Sequence, residues 1–378
     1  MKVIILGAGL VGGPMALDLA SEGRFEVTVA DRDEDALSRI RGRSGIGTVT
    51  ADLSPPGTVR ALVSDFDMVI SAVPGFMGFD TLREVIEAGR DVIDIAFFPE
   101  DPFLLDGLAR EKGVTAIMDC GVAPGMSNIL AGYACGLLDE PTDVLIYVGG
   151  LPLRRKWPWE YRAVFSPLDV IEEYTRPARY VENGVTVVRP ALSDPELIDF
   201  PQTGTLEAFN SDGLRTLART LDARNMKEKT MRYPGHIEKI AVLRETGFFS
   251  RDEIEIGGAR IRPLDFTARI LFPVWEMEKD DADLTVMRIV VEGLSGGRQV
   301  RHTWDLYDTF DPDTGIHSMA RTTGYAATTA LRMVADGLYT EKGVSPPEYI
   351  GRDEGCVKYM LAGQRERGIV YGNSIEAV

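Results

Sequence analysis

The chain has 378 residues, 44% of them hydrophobic, which is enough for two or three domains with substantial cores; two is the economical division. With 41 Lys and Arg against 58 Asp and Glu, the formal charge is −17, and its field repels phosphate backbones and anionic membrane surfaces. Nucleic acid and membranes are therefore not expected as partners.

Cys120, Cys135 and Cys356 show no CxxC spacing and no nearby histidine pair, so neither a metal site nor a disulfide framework is expected. A reducing cytoplasm fits this usage. The sequence enters a strand directly after Met1 and Lys2, and no stretch reaches the roughly 18 uncharged residues of a membrane span. A soluble, unprocessed chain is the expectation, without internal repeats or low-complexity segments.

In chain order, KVIIL is an apolar strand that runs into Gly7, Gly9 and Gly12, followed by a helical pattern from about Leu10 to Ala20. This is GxGxxG in the setting the motif requires. The glycines allow a tight turn, close backbone approach to a pyrophosphate and close helix packing, and the helix start offers free N–H groups to an anion. FEVTVADRD supplies a second strand ending in Asp31, about 20 residues past the loop, where a ribose-binding acid belongs. Asp31 favours NAD, because a 2′-phosphate would meet like charge; Arg32, the next residue, can turn toward that phosphate and leaves NADP open.

Strand and helix patterns then alternate: GIGTVTADL, the helix of PPGTVRALVSD, DMVISAVP, the helix of FMGFDTLREVIEAG, DVIDIA, the helix of EDPFLLDGLAREKG, and VTAIMD as a sixth strand. Such alternation implies a parallel, doubly wound Rossmann-type sheet. Ligands in these sheets lie at the carboxyl ends of strands, so Leu10, Val11, Asp52, Ala72, Val73, Pro74 and Asp119 join the loop glycines as candidate contacts.

From PTDVLIYVGGLP onward the pattern changes to short β-like runs with NG and GG turns, predicting a second α/β domain with a mixed or antiparallel sheet. Helical segments interrupt it at SPLDVIEEYT, DGLRTLARTL, HIEKIAVLRETG and PLDFTARILF. The tail returns to helix. The expected division is residues 1–122, completed by helices within 319–378, and a domain of residues 123–318.

Acid–base candidates are few, since there are only three histidines. His302 and His317 have nothing polar clustered beside them in sequence and read as surface or packing residues. His236 follows Pro-Gly and opens a helix, where the positive dipole end favours a neutral imidazole suited to act as a base or simply to cap. Arg232, in the preceding strand, can bind a carboxylate bidentately or stand exposed. Asp212 in Asn210-Ser211-Asp212-Gly213 is an N-cap or an ammonium contact, with Arg215 one turn in. VGGLPLRRKWPWEY, with Arg154, Arg155 and Lys156, is a candidate lid or a solvated basic loop.

Together, GAGLVG, Asp31, DIAFFPED, DCGVAPGMSN, VGGLP, EYTRPARYVENG, LEAFNSDGLRTL, KTMRYPGH, ARTTGY and EKGVSPPE resemble the saccharopine dehydrogenase (saccharopine reductase) superfamily, and most of all its lysine 6-dehydrogenase branch. The likeness is colinear over nearly the whole chain. It implies a Rossmann domain joined to an α/β domain that supplies substrate contacts and a dimer surface, hence a homodimer or higher homo-oligomer. It also implies NAD(P)-dependent oxidation of the carbon–nitrogen bond at the ε-position of lysine, or of its glutamate adduct.

The matching substrate-domain positions are Arg232, Tyr233 and His236, Asp212 and Gly213, and Gly149 to Pro152. A lysine ε-ammonium, with an ordinary pKa of about 10.4, must lose a proton before hydride can leave its carbon. Asp119 and His236 are the candidates for that task, and Arg215 or Arg232 for anchoring the α-carboxylate. Saccharopine dehydrogenase is the nearest alternative, a carboxynorspermidine-type reductase a further one, and a non-catalytic nicotinamide sensor the alternative of another class.

Overall fold

The computed structural model describes residues 1–43, 45–163, 167–278 and 281–378. In chain order the strands are β1 (Lys2–Leu6), β2 (Glu26–Asp31), β3 (Gly47–Thr50), β4 (Met68–Ser71), β5 (Asp91–Asp94) and β6 (Thr115–Ile117). They continue as β7 (Glu140–Pro152), β8 (Ala178–Glu182), β9 (Val185–Arg189), β10 (Glu196–Phe200), β11 (Gly204–Asn210) and β12 (Asn225–Arg232). The last six are β13 (Ile254–Ile256), β14 (Ala259–Ile261), β15 (Asp283–Ser295), β16 (Arg298–Thr309), β17 (Gly343–Ser345) and β18 (Tyr371–Ala377).

The chain divides into two compact units, Met1–Gly136 with Met319–Val370, and Leu137–Ser318 with Tyr371–Val378. The first holds a parallel sheet in the order β17-β6-β5-β4-β1-β2-β3. Val3 to Leu6 of β1 are fully buried, as expected for a strand covered on both faces. Helices Gly75–Glu87 and Asp106–Lys112 pack their apolar sides onto this sheet, Leu82, Val85, Ile86 and Ala109 meeting Val69, Val92 and Ala116.

β1 pairs in parallel with both β2 and β4, so the strand order reverses there. The crevice outside the carboxyl ends of β1 and β4 is the topological switch point, where α/β sheets receive ligands.

The tail differs from the sequence expectation in two places. Gly343–Ser345 extends the sheet beside β6, although three residues carry no readable alternation. Tyr371–Ala377 is a strand that pairs with β16 in the second unit, where helix within the first had been expected. The helix Met126–Gly136, placed by sequence in residues 123–318, belongs to the first unit.

The second unit is built on a mixed sheet, with β7 parallel to β12 and antiparallel to β15. The NG and GG turns form hairpins as their sequence indicates: Asn183 and Gly184 have φ of 50° and 76°, and Gly296 and Gly297 of 57° and 75°. Paired positive φ values are what the tight primed turn demands. The helix predicted at SPLDVIEEYT spans Pro167–Thr175; its proposed first residue, Ser166, lies outside the described residues. No helix among the described residues is long and apolar enough to cross a membrane.

In the first unit Asp18 binds the buried guanidinium of Arg332 at 2.8 Å and the half-buried one of Arg367 at 2.7 Å, and so ties helix Gly12–Ala20 to the tail helices. Asp18→Ala leaves both cations in low dielectric without that partner, and should cost on the order of 3–5 kcal/mol of unfolding free energy in a urea titration.

Candidate active site

The loop after β1 has the geometry of a phosphate cradle, and each glycine serves a different purpose. Gly7 has φ +108°, and a Cβ there would stand 2.6 Å from the Ala72 carbonyl oxygen. A Cβ on Gly12 would lie 2.0 Å from the Gly7 carbonyl oxygen, so only glycine lets the helix begin this close to the strand. Gly9 has nothing within 4 Å of its Cβ position and is exposed, which leaves its backbone approachable. Helix Gly12–Ala20 starts behind Val11 without a side-chain cap, so no side chain occupies the anion's place at its N-terminus. These features fit a dinucleotide pyrophosphate.

Asp31, at the tip of β2, accepts hydrogen bonds from Ala8 N at 2.6 Å and Asp33 N at 2.9 Å, pinning the loop from the side where a ribose would lie. Arg32 is exposed. Asp52 accepts two bonds from Ser54 that hold its carboxyl below the usual range, with the Arg32 charge assisting, so Arg32 and Asp52 share one rim. Beyond β4, Ala72 is half-buried, Val73 buried and Pro74 exposed at the start of helix Gly75–Glu87.

Two apolar side chains stand open beside these loops, Leu10 at 55% exposure and Phe76 at 73%. Phe76 was not singled out from sequence, because a phenylalanine in a helical pattern reads as core. Only the register of the helix turns it outward.

Asp119 follows β6 and is 2% exposed with φ +52°. DCGVAPGMSN closes on itself beyond it: Gly121 N donates to Pro124 O at 3.0 Å, and Asn128 accepts from Ser127 Oγ at 2.9 Å while donating to the buried Glu348 at 3.3 Å. Cys120 N donates to Asp94 O. Burial first, then Asp119 and Asp94, push the Cys120 thiol up to about 12, so it is no nucleophile. The stretch is neither a second nucleotide loop nor an open linker.

In the second unit the structure encloses His236, the candidate base, and Arg232, the candidate carboxylate anchor. His236 is 1% exposed; its Nδ1–H donates to the Trp159 carbonyl at 2.9 Å and its Nε2 accepts from the Tyr174 hydroxyl at 3.0 Å. With both ring nitrogens engaged inside a cluster of Trp159, Tyr161, Tyr174 and Trp275, it has no nitrogen left for a substrate proton.

Arg232, 2% exposed, donates to Tyr174 Oη at 3.1 Å, to Met231 O at 2.9 Å and to Glu173 at 2.6 Å. It lies 4.6 Å over the Tyr161 ring. This is an internal cation with its counter-ion in place, not an exposed carboxylate anchor. Tyr233 is also buried, and its hydroxyl donates to Pro152 O at 3.0 Å, fixing the end of β7.

Asp212 does not cap a helix, which here spans only Leu217–Thr220. It is bound bidentately by Arg179 at 2.9 and 2.8 Å. Arg176 stands near the same group; burial first, then the adjacent Arg215 charge, lower its pKa. Arg215 has φ +52°, a conformation costly for a side chain of this size. Arg179 thus pairs with Asp212, while Arg176 pairs with Glu172 at 3.8 Å and stands near Arg215.

Gly213 lies against Glu228, its N–H donating at 3.1 Å, and Ser211 donates to the same oxygen at 2.7 Å. Burial pushes the Glu228 carboxyl up to about 8. Sequence gave no sign of Glu228, which lies in an alternating strand like any other charged residue. In the basic loop Arg155 pairs with Glu160 and stacks 4.8 Å from Tyr233, and Lys156 pairs with Glu278 at 2.8 Å.

The chain belongs to the saccharopine dehydrogenase family: the model of its NADP binding domain matches residues 3–117 and that of its C-terminal domain residues 121–369. It is accordingly an oxidoreductase of that family with a nicotinamide cofactor. Over its whole length it resembles carboxyaminopropylagmatine dehydrogenase of Synechocystis sp., at 24% identity across 93% of each chain. Carboxynorspermidine synthase of Vibrio cholerae is 21% identical, again over 93% of each. Saccharopine dehydrogenase [NADP(+), L-glutamate-forming] of Saccharomyces cerevisiae is 25% identical over 68% of this chain and 60% of its own. The crystal structure of apo saccharopine dehydrogenase (L-Glu forming) from that yeast superposes with a TM-score of 0.82 at 20% identity, covering 100% of this chain and 99% of that one, which establishes the fold.

Burial, then Arg232, pull the His236 pKa down to about 3 from 6.5. The folded chain thus refuses a proton that the unfolded chain accepts, so stability is full above pH 6.5 and falls as pH drops from there toward 3. His236→Gln should flatten the decline of the urea midpoint between about pH 7 and 5.

Proposed function

We propose that the protein oxidises the carbon–nitrogen bond at the ε-position of L-lysine, with NAD as the preferred cofactor, releasing ammonia and 2-aminoadipate 6-semialdehyde. The observation that carries this reading is a glycine cradle that fits a dinucleotide, in a chain whose second unit pairs Arg179 with Asp212 and sets Arg176 near Asp212 and Arg215. Arginines supply bidentate sites for an α-carboxylate, and a carboxylate among them suits the α-ammonium.

Arg215 is the proposed carboxylate anchor. Asp31 supports NAD by like-charge rejection of a 2′-phosphate, while Arg32 keeps NADP within reach. The bound nicotinamide would accept hydride. The chain's own share is to hold the amino acid, shed the ammonium proton and exclude water. Asp119, on the carboxyl edge that also carries the glycine loop, is proposed to face the positive charge that develops on the substrate nitrogen. His236 and Arg232 are positioning residues that fix Tyr174 and, through Tyr233, the end of β7. We further propose a cytoplasmic homodimer or higher homo-oligomer.

The second reading is an N-carboxyalkyl amine donor, favoured by the whole-length similarity to carboxyaminopropylagmatine dehydrogenase. A glutamate adduct of lysine needs further carboxylate sites, and Arg155 and Lys156, the nearest candidates, already have acidic partners.

Purified protein should reduce NAD in the presence of L-lysine, with kcat/KM higher than for NADP, and release ammonia. Turnover with saccharopine alone would move the substrate to the adduct; cofactor binding with no turnover on either amine would overturn the reading in favour of a sensor. Asp119→Asn should lower kcat about 100-fold, the scale of one removed electrostatic contact, while the cofactor dissociation constant measured by fluorescence stays nearly unchanged.

A further inference from the structure

One element of the second unit stands apart from its main sheet. Among the described strands β13 and β14 pair only with each other, in the register Ile254 to Ile261, Glu255 to Arg260 and Ile256 to Ala259. Gly257 and Gly258, with φ of 58° and 85°, close the tight primed turn between them. Side chains alternate across a strand, so Ile254, Ile256, Ala259 and Ile261 form one wholly apolar face, and Glu255 and Arg260 stand on the other. Ile254, Ile256 and Ala259 are exposed, and Ile261 is half-buried. A two-stranded ribbon alone in water is marginal at best, and covering its apolar face would stabilise it.

The next element carries a second such face. Arg262 alone separates β14 from helix Pro263–Trp275, and Leu264 N donates to Ser250 O at 3.0 Å, tying the helix start to the entry of the hairpin. The helix buries Ala268, Leu271 and Trp275 in the cluster of Tyr161 and Tyr174. Its outward side, ordinarily polar on a surface helix, instead shows Phe266, Ile270 and Val274 at four-residue spacing. These three, with Ile254 and Ile256 of the hairpin, are between 44% and 57% exposed.

Charge indicates what covers these faces. A formal charge of −17 keeps copies of the chain apart in general, yet residues 251–275 hold four arginines against four carboxylates. With no excess of cations, the region has no electrostatic attraction for an anionic membrane. The signs are sorted by strand: Asp252, Glu253 and Glu255 run along one edge of the hairpin, Arg260 and Arg262 along the other. Within the chain Arg260 reaches Glu253 at 3.8 Å, Arg262 pairs with Asp265 at 2.7 Å, and Arg251 pairs with Glu172. Joining two hairpins edge to edge about a two-fold axis sets acid against acid or arginine against arginine, and like charges directly opposite destabilise a sheet. Stacking them face to face about an axis along the strands lays the acidic strand of each copy against the basic strand of the other. Both apolar faces are then closed by one symmetric contact.

We infer that the apolar face of β13 and β14, with the outer side of helix Pro263–Trp275, is the surface that binds a second copy of this chain. This deepens the homo-oligomer proposed above and rests on it, while owing nothing to the identity of the substrate. The contact is isologous: Glu255 of each copy lies toward Arg260 of the other.

Sedimentation equilibrium of the full chain from about 1 to 100 μM should show a dimer, and Ile256→Glu and Ile270→Glu should each raise its dissociation constant about 100-fold or more, since every substitution enters a two-fold contact twice. Glu255→Arg and Arg260→Glu should each weaken self-association about 10-fold, the loss of an interfacial charge pair, yet an equimolar mixture of the two should associate about as tightly as wild type. Pairing within one chain cannot produce that recovery. A dimer that none of the four substitutions weakens, or a mixture no tighter than its parts, would overturn the assignment and leave the homo-oligomer standing. A wild-type chain that stays monomeric overturns both and leaves the face to a partner of another kind. Turnover with lysine, measured separately, bears on the reaction alone.

Discussion

The first unit depends on how closely a helix can approach the strand that feeds it. A methyl group at Gly12 would run into the Gly7 carbonyl, and one at Gly7 into the carbonyl of Ala72. Without those groups the helix starts directly behind β1, with its N–H groups aimed at the point where the strand order reverses. Asp31 then locks the loop by accepting the Ala8 N–H. The cradle is thus preorganised by backbone contacts, and Leu10, Arg32 and Phe76 stand exposed around it.

The second unit follows a different logic, in which charge is buried to fix geometry. Arg232, Glu173, Tyr174 and His236 form a continuous hydrogen-bonded chain inside an aromatic shell. Enclosing a guanidinium this way is costly in desolvation, and a hydrogen bond at each of its three nitrogens, one of them to the Glu173 carboxylate, offsets that cost. The return is rigidity. The strand end that carries Arg232 continues into Tyr233, whose hydroxyl holds Pro152, and Pro152 pairs with Asp283, which bonds His317.

Three histidines illustrate how environment separates identical side chains. At a helix start and after Pro-Gly, His236 has the local sequence of a functional residue, yet aromatic packing encloses it. His317 has no such sequence context, and the β15–β16 hairpin brings the buried carboxylate of Asp283 to it. Exposure and partners, not neighbours in sequence, decide which imidazole can exchange a proton.

What the sequence determined by itself was whatever local periodicity and local sterics encode. The GxGxxG turn, the acid ending β2, the alternation that implies a parallel sheet, and the NG and GG hairpins each depend on residues within one turn or one strand of each other. The pairing of Arg179 with Asp212, the enclosure of His236 and Arg232, the pairing of Asp283 with His317, and the short strands β17 and β18 were decided only by tertiary structure. Burial and the meeting of distant charges depend on which strands pair and in what register. That is a property of long-range contacts, which a reading of neighbouring residues does not contain.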